Sequence, residues 1–371
     1  MKIAQLSTFP PFRGGIAQFN SSLYHALSKK HTLQAYNFKR QYPSILFPGK
    51  TQLTEEKEIT VEAQRLLDSI NPFSYFSTAK EIRKFNPELL LMKYWMSFFG
   101  PSLGTVAKRQ NANCKVVSIL DNLIPHEPKS FDRRFNQFFV NQNHGFVVMS
   151  KKVKSDLLNF TDGKAKFVEI SHPLYNHFGK SIPKENAKHS LGINNENKNL
   201  LFFGFIRKYK GLDLLLQAFE KLDNHFNLII AGECYGNFDG YQKLIEKSRK
   251  KDKIFLFNQY IPDEQVPVLM SAADACILPY RSATQSGIES IAYHFNVPII
   301  ATDVGGLKEH VVHKKTGYII SKVDVDHLAD GIVDFFDSFS LEKFEQELSI
   351  LKKERSWESF GNKIIDFAKT L

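Results

Sequence analysis

Apolar residues recur along most of the chain in short runs, and many of these runs are separated by amphipathic stretches. A short apolar run bounded by turn residues is typical of a buried strand, and a 3.6-residue apolar period is typical of a surface helix. Alternation of the two predicts parallel sheets covered by helices. The runs with the strand pattern are 2–7, 32–38, 89–93, 115–120, 145–149, 166–170, 199–203, 227–232, 253–257, 275–279, 298–302 and 317–320.

The predicted helices lie between these runs and at the end of the chain. They are 16–29, 153–159, 211–222, 241–250, 263–272, 288–295 and 356–371. The polar segment 175–198, rich in Asn and Lys, divides the alternation into two series. A single (β/α)₈ barrel would use about as many strands but would lack this central break. We therefore predict an α/β protein with two doubly wound domains.

The domain boundaries follow from the same break. We expect a first domain over residues 1–178, a linker over 179–198, a second domain over 199–355 and a separate terminal helix over 356–371. Ligands of open α/β sheets bind outside the carboxyl ends of the strands. Two such domains that face each other would therefore share one ligand cleft.

The charge and composition of the chain indicate which kinds of ligand or partner it can bind. The 371 residues carry a net charge of +10, which suits an anionic ligand or surface. The chain has no Lys/Arg tail and no nucleic-acid-binding signature, so we predict no nucleic-acid partner. Three scattered cysteines form no disulfide framework, and no apolar run is long enough to cross a bilayer. We expect a cytoplasmic protein, with a peripheral membrane contact left open.

The segment 200–219 carries the strongest chemical signal. Its apolar run ends at Gly204, the cations Arg207 and Lys210 follow in a short loop, and Gly211 opens an amphipathic helix. The start of a helix offers free N–H groups and the positive end of the helix dipole, and cations add charge-assisted hydrogen bonds. A phosphate site is one interpretation, and a solvated loop of cations is the ordinary alternative.

A second loop of the same kind follows the strand that ends at Pro279. Thr284 and Ser286 are candidate caps for the next helix, and Gly287 leaves its first N–H groups accessible. Ordinary capping explains this loop as well. Two anion sites at strand ends of one domain favour a diphosphate, because two phosphates need more donors than one site offers. The loop 303–306 either approaches the same ligand or only turns the chain.

In the first domain, Gly14 and Gly15 follow the first strand and allow close approach of a ligand to the main chain. The alternative is a turn that uses glycine for its shape. Asp121 and His126 follow the strand 115–120 and are candidate catalytic groups. For His126, the alternative is a structural role in its loop. No metal-ligand cluster, nucleophile motif or GxGxxG fingerprint occurs.

Four phenylalanines with helical spacing form a stripe in the first domain. They are Phe131, Phe135, Phe138 and Phe139, with two arginines beside them. Such a stripe rests on a membrane in some proteins and packs in the core in more of them. We favour the core interpretation.

Taken together, these motifs resemble the family-4 retaining glycosyltransferases, which have the GT-B fold. The resemblance rests on the Gly-Gly loop, FFGFIRKYKG, AADACILPY, the SATQSG loop, PIIATDVGG, TGYII and the final helix with Trp357, all in family order. It covers nearly the whole chain, and the second half is the more specific. SATQSG is similar to one subgroup of the family.

The resemblance implies two facing Rossmann-like domains, with the nucleotide-sugar in the second and the acceptor mainly in the first. It implies a last helix that crosses back to the first domain, and no metal requirement. Arg207 and Lys210 then correspond to the pair that holds the donor diphosphate, and Gly15, beside Gly14, to the loop glycine near the distal phosphate or sugar. The residues under the phosphates and sugar correspond to Thr284, Gln285, Ser286 and Gly287.

The chain departs from the family pattern at two places. Counted back from Pro298, the two family glutamates correspond to Ala283 and Ile291, and Glu289 is the nearby carboxylate. The family histidine after the fourth strand corresponds to Asp121, so Asp121 and His126 are both candidates to replace it.

The predicted function is sugar transfer with retention, from a UDP- or GDP-sugar to a glycan or lipid-linked acceptor, without a cofactor. Polysaccharide or glycolipid assembly at the inner face of the membrane is the expected setting. The alternatives are a nucleotide-sugar-binding scaffold without activity and another GT-B enzyme such as an epimerase.

Overall fold

The computed structural model describes residues 1–12, 14–43, 53, 61–124, 131–175, 178–283 and 286–371. It divides into two compact units. The first comprises Met1–Pro173 and Arg355–Leu371, and the second comprises Leu174–Glu354. Each unit has its own parallel sheet.

The sheet of the first unit has seven parallel strands in the order β3-β2-β1-β4-β5-β6-β7. The strands are β1 (Lys2–Leu6), β2 (Thr32–Arg40), β3 (Ala63–Asp68), β4 (Leu89–Tyr94), β5 (Lys115–Leu120), β6 (Gly145–Val148) and β7 (Phe167–Glu169). The central strands are apolar and buried because helices cover both faces of the sheet.

The edge strand β3 was missed by the sequence prediction. Its residues Gln64 and Arg65 are exposed, and only Leu67 and Asp68 at its end are buried. An edge strand with polar residues lacks the apolar run by which the other strands were recognised.

Five helices accompany this sheet before the chain enters the second unit. They are α1 (Gly15–Ser28), α2 (Pro72–Phe85), α3 (Gly100–Lys108), α4 (Asp132–Val140) and α5 (Lys151–Phe160). Helices α2 to α5 contribute to one apolar core, and α1 contributes to the core on the other face of the sheet.

The phenylalanine stripe belongs to α4 and packs inside the first unit. Phe139 is fully buried and stacks on Tyr94, with ring centroids 3.9 Å apart. A Cβ atom at Gly104 of α3 would lie 2.7 Å from the ring of Phe138, so the glycine allows the two helices to approach closely. The core interpretation is confirmed for Phe139, whereas Phe135 and Phe138 are half-buried and Phe131, which precedes α4, is exposed.

The sheet of the second unit has six parallel strands in the order β10-β9-β8-β11-β12-β13. The strands are β8 (Lys198–Phe203), β9 (Phe226–Ala231), β10 (Ile254–Phe257), β11 (Ala275–Leu278), β12 (Ile299–Thr302) and β13 (Gly317–Ile320). Numbered within the unit, this is the Rossmann order 3-2-1-4-5-6, and the first six strands of the first unit have the same order. Two separate open sheets exclude the barrel.

Eight helices lie in the second unit of the described chain. They are α6 (Lys184–Ser190), α7 (Leu212–Lys221), α8 (Asp239–Lys247), α9 (Val266–Ala272), α10 (Gly287–His294), α11 (Leu307–His310), α12 (Val325–Ser338) and α13 (Leu341–Glu354). Helices α7, α8 and α12 cover one face of the sheet, and α6, α9, α10 and α13 pack on the other.

The segment 179–198, which the sequence analysis treats as a linker, lies within the second unit. It contains α6, which packs against α9, and it buries Ala187 and Ile193 in the core. The unit already begins at Leu174, ahead of the predicted boundary. The segment is polar because most of its side chains are exposed, although Ala187 and Ile193 pack in the core of the unit.

The last helix, α14 (Trp357–Lys369), belongs to the first unit and packs against α1. The ring of Phe19 in α1 makes edge contacts with Trp357 and Phe360, at centroid distances of 4.9 and 5.7 Å. These aromatic contacts bury the apolar face that the sequence shows in this helix. None of the helices in the described ranges is long and apolar enough to span a bilayer.

Truncation of Phe360 to Ala is expected to lower the free energy of unfolding by about 3–5 kcal/mol, because it removes a buried ring and leaves a cavity. Urea denaturation of the full chain measures this change. Ile350→Ala, at a side chain that is 57% exposed, is the control and should change stability by less than about 0.5 kcal/mol. An equal, small effect of both variants would contradict the packing of α14 on α1.

Candidate active site

The strand order of the second sheet reverses between β8 and β11, and the loops after these two strands meet at that point. Gly211 ends the first loop with a φ of +69°, and a Cβ atom there would lie 2.0 Å from the carbonyl oxygen of Pro279. Only glycine fits because of both the backbone conformation and the close approach. The two loops predicted to bind anions are therefore adjacent.

Lys210 lies in a short 3₁₀ turn between β8 and α7, and its side chain is buried. Its Nζ atom lies 5.7 Å from the ring centroid of Tyr280, and among the described residues it has no carboxylate partner. Burial, with a smaller contribution from the positive charge of Arg207, lowers the pKa of Lys210 to about 8. A bound anion would relieve both effects.

Arg207, in contrast, is exposed at the start of the same turn. Its guanidinium lies over the ring of Tyr235 at 4.5 Å, and Tyr235 makes an edge contact with Phe205 at 4.9 Å. Both aromatic residues are exposed and follow the carboxyl ends of β9 and β8. Tyr235 was not predicted, although an aromatic residue in the loop after a strand is a usable signal.

Arg281 fixes the turn that carries the two cations. Its guanidinium binds both carboxylate oxygens of Asp213 at 2.8 and 2.7 Å and donates to the carbonyl of Lys208 at 3.0 Å. Its backbone N–H donates to the carbonyl of Tyr209 at 2.7 Å. Burial alone would raise the pKa of Asp213, but the hydrogen bonds and charge of Arg281 hold it below its usual value. No local pattern in the sequence indicates this pair, because its members lie 68 positions apart in the chain.

The helix α10 starts without a side-chain cap from Ser286, the described residue that precedes it. Ser286 occupies the cap position but makes no side-chain hydrogen bond to the first turn, so its predicted capping role is not observed. Its Oγ lies instead 3.3 Å from the hydroxyl of Tyr280. Gly287 is exposed, and Thr284 and Gln285 lie outside the described residues. The first N–H groups of α10 are thus free of a side-chain cap from Ser286.

The loop after β12 supports the loop after β11. Thr302 donates from its hydroxyl to the carbonyl of Tyr280 at 2.6 Å, and the N–H of Gly306 donates to the carbonyl of Ala283 at 3.3 Å. A Cβ atom at Gly305 would lie 1.6 Å from that same carbonyl oxygen. The glycines at 305 and 306 therefore shape the loop that leads to α10.

Glu289 lies in the first turn of α10 and is 4% exposed. One of its carboxylate oxygens lies 3.8 Å from Nδ1 of His310, which belongs to α11. Sequence reasoning had not singled out His310. The carboxylate thus lies inside the second unit, beside a histidine.

In the first unit, Gly14 and Gly15 lie at the start of α1. Gly14 has a φ of +108°, and a Cβ atom at either position would have no heavy atom within 4 Å, so this turn borders open space. The segment before it is fixed by two buried asparagines. Asn20 donates to the hydroxyl of Ser7 and the carbonyls of Thr8 and Ile16, at 2.8–3.0 Å.

Asn37, on β2, holds the other end of this segment. Its Nδ2 donates to the carbonyl of Phe9 at 2.9 Å, and its Oδ1 accepts from the N–H of Phe9 at 3.1 Å. Both asparagines are buried, so their amide groups replace water for the backbone of the loop. Neither was predicted, because single Asn residues in a strand or a helix carry no distinctive pattern.

Asp121 directly follows β5 and pairs with Lys93 of β4, with 2.6 Å between Nζ and Oδ1. Lys93 is almost fully buried, and its Nζ also lies 3.5 Å from the ring centroid of Phe19. Burial lowers the pKa of Lys93, and the carboxylate of Asp121 opposes that shift. Asp121 therefore has a cation beside it, while His126 lies outside the described residues.

The structure thus groups the predicted residues by unit. Arg207, Lys210, Ser286 and Gly287 lie at the carboxyl edge of the second sheet, and Gly14, Gly15 and Asp121 follow strands at the carboxyl edge of the first. Within the part of the chain that the structure describes, no three His, Cys, Asp or Glu side chains are grouped as metal ligands.

Lys210→Met is expected to stabilise the second unit at pH 7. The folded-state pKa of about 8 lies below the ordinary value of 10.5. Below pH 8 the buried lysine is charged in the folded state, and the whole cost of burying that charge lowers the free energy of unfolding. That cost, roughly 3 kcal/mol at most, disappears as the pH rises towards 10.5, where the unfolded chain also loses the proton. Urea denaturation at pH 7 and pH 10 measures it.

The exposed Lys243 supplies the control, since Lys243→Met should change stability little at either pH. A Lys210→Met variant that is destabilised equally at both pH values would contradict the uncompensated charge of Lys210.

The sequence of the second unit is similar to known proteins. Residues 183–348 match the family model "Glycosyl transferases group 1". D-inositol 3-phosphate glycosyltransferase of Corynebacterium aurimucosum is 25% identical over 57% of this chain and 53% of that protein. Glycogen synthase of Thermus thermophilus is 27% identical over 54% of this chain and 44% of that protein. The chain spans about half the length of the curated relatives it matches.

Solved structures match over the whole chain. Sucrose-phosphate synthase of Thermosynechococcus elongatus has a TM-score of 0.71 at 15% identity and covers 100% of this chain and 99% of its own. Anabaena HepE, solved in complex with UDP, has a TM-score of 0.73 at 16% identity and covers all of both chains. These matches confirm the predicted GT-B class, with two Rossmann-like α/β domains.

The family match covers most of the unit in which Arg207, Lys210 and the start of α10 share one sheet edge. Residues 183–348 of this chain are therefore similar to the glycosyl transferases group 1 family.

Proposed function

We propose that this protein is a retaining glycosyltransferase that moves a sugar from a nucleoside-diphosphate sugar to an acceptor hydroxyl. The group 1 family match supports the reaction class. Anabaena HepE, a structural neighbour, was solved with UDP and with UDP-glucose, which supports a UDP-sugar ahead of a GDP-sugar as donor. The SATQSG subgroup resemblance belongs to this proposal.

The observation that carries the proposal is the buried ammonium group of Lys210. No carboxylate of the described chain neutralises it, and it lies at the point where the strand order of the second sheet reverses. A buried cation without a partner is costly to a folded protein and favours an anionic ligand. Arg207 and the start of α10, which Ser286 does not cap, lie at the same sheet edge, so a diphosphate fits this edge better than a neutral ligand does.

Each predicted residue then has a role. Arg207 and Lys210 hold the diphosphate, and the N–H groups of α10, with the loop of Thr284, Gln285, Ser286 and Gly287, hold its second phosphate and the sugar. Glu289 is the candidate ribose contact. Arg281 has a positioning role through Asp213 and the carbonyl of Lys208.

The proposed step needs no metal and no cofactor. The acceptor oxygen forms a bond to the anomeric carbon on the face from which the diphosphate departs, so the configuration is retained. A leaving phosphate oxygen takes the acceptor proton as the carbon–oxygen bond to the diphosphate breaks. The protein stabilises the negative charge that grows on the diphosphate. Preorganised cations contribute to catalysis mainly through this electrostatic stabilisation of the transition state.

The first unit is proposed to bind the acceptor, a glycan or a lipid-linked sugar. The open surface at Gly14 and Gly15 and the carboxylate of Asp121 support this assignment, with His126 as a further candidate. Polysaccharide or glycolipid assembly at the cytoplasmic face of a membrane would supply such acceptors.

A screen of UDP-, GDP- and ADP-sugars by thermal shift tests the donor site. A donor at one hundred times its Kd should stabilise the domain by about 2.7 kcal/mol, and Lys210→Met should remove most of the shift. Absence of a shift with any nucleoside diphosphate at millimolar concentration would reject the proposal. Binding without transfer to a broad acceptor panel would favour a scaffold, and an epimer formed without acceptor would favour an epimerase.

Arg207→Ala is expected to lower the turnover of sugar transfer by about 10²-fold, because one such donor of charge-assisted hydrogen bonds contributes about 3 kcal/mol to the transition state. Initial rates of nucleotide release at saturating donor measure it. Arg249→Ala is the matched control, since Arg249 is an exposed arginine of the same unit paired with Glu220. Near-normal turnover of Arg207→Ala would remove Arg207 from this role.

A further inference from the structure

Helix α2 of the first unit carries an apolar surface that the fold itself does not use. Phe73 is 83% exposed, and Ile70 and Phe76 are 45% and 43% exposed. The opposite face of the helix already supplies the core with Tyr75 and Ile82. Exposure of one aromatic ring is ordinary, but three large apolar side chains within seven residues mark an interaction surface.

Cations share this face of α2. At 100° per residue, Lys80 and Lys84 project within about 20° of Phe73, and both are exposed. Arg109, at the end of the neighbouring α3, lies with its guanidinium 4.3 Å from the ring centroid of Phe76. Helices α2 and α3, with the residue after α3, contain five cations against one carboxylate, Glu81, which pairs with Lys84 at 2.6 Å. The surface is therefore both apolar and strongly positive.

We propose that this face of α2 binds the surface of a membrane that contains anionic lipids. An interfacial helix inserts aromatic side chains between headgroups while cations beside them pair with lipid phosphates. A purely apolar partner groove would leave Lys80 without a counter-charge, and a nucleic acid would leave Phe73 exposed. The combination of the two on one helical face fits an anionic bilayer best.

The placement of α2 links this surface to the sheet edge of the first unit. The helix follows β3 and starts at its carboxyl end, so Ile70 and Phe73 are on the side of the sheet where ligands of α/β folds bind. A membrane held there lies beside the predicted acceptor unit. The inference thus deepens the membrane setting of the proposed function, and its test uses neither donor nor acceptor.

Flotation of the full chain with lipid vesicles tests the proposal. The wild type should bind vesicles of 70% phosphatidylcholine and 30% phosphatidylglycerol and should bind vesicles of phosphatidylcholine alone much less. Phe73→Ser/Phe76→Ser should lower the partition coefficient at least about tenfold, because two rings no longer leave water. Lys80→Glu/Lys84→Glu should lower it about fivefold or more for each charge reversed, with a smaller effect at high salt.

Two matched controls separate this surface from general effects. Lys243→Glu/Lys247→Glu reverses two exposed lysines at the same four-residue spacing on α8, and Leu341→Ser removes an apolar side chain that is 61% exposed. Both should bind the anionic vesicles as the wild type does. The melting temperature of each variant should equal that of the wild type, because every substituted side chain is at least partly exposed.

The proposal is overturned if the wild type binds neither type of vesicle, or if the α2 variants bind as the controls do. A dimer in solution that Phe73→Ser/Phe76→Ser dissociates, without vesicle binding, would assign the surface to a second copy of the chain and reject the membrane. Failure of sugar transfer leaves the vesicle result unaffected, since no substrate is present.

Discussion

The contact between the backbones of the loops after β8 and β11 is the constraint on which the candidate site depends. Gly211 and the carbonyl of Pro279 are so close that no side chain fits between them. Next to this contact, the side chain of Lys210 is buried and its ammonium group lies 5.7 Å from the ring centroid of Tyr280. The parallel order of the strands leads both loops to one edge, the edge at which ligands of open α/β sheets bind.

Each Rossmann-like unit buries a lysine, but only the lysine of the first unit is paired with a carboxylate of the described chain. In the first, Lys93 is buried near the reversal of strand order, but the carboxylate of Asp121 lies 2.6 Å away. In the second, Lys210 is buried at the corresponding reversal without a carboxylate from the described chain. A neutralised pair has little need of a further ion, whereas an uncompensated cation attracts one. This difference agrees with an anionic donor in the second unit and an uncharged hydroxyl acceptor in the first.

Hydrogen bonds between distant residues hold the loops in place. Asn20 and Asn37 make the hydrogen bonds to the backbone after β1 that water would otherwise make. Arg281 joins the loop after β11 to the turn with Lys210. Loops that must present backbone N–H groups to a ligand cannot satisfy all of them internally, so buried side chains supply the rigidity.

Local patterns in the sequence predict most of the alternation of strands and helices, the two-domain organisation and the loops that bear Arg207, Lys210 and Gly287, because these depend on local periodicity and on glycine at strand ends. The packed structure was needed to show that β3 is an edge strand, that 179–198 belongs to the second unit, and that Asp121 is paired with Lys93. It also decided the partner of Arg281, since Asp213 lies 68 positions away. Pairing between distant residues depends on how the elements pack, and no local pattern of side chains specifies it.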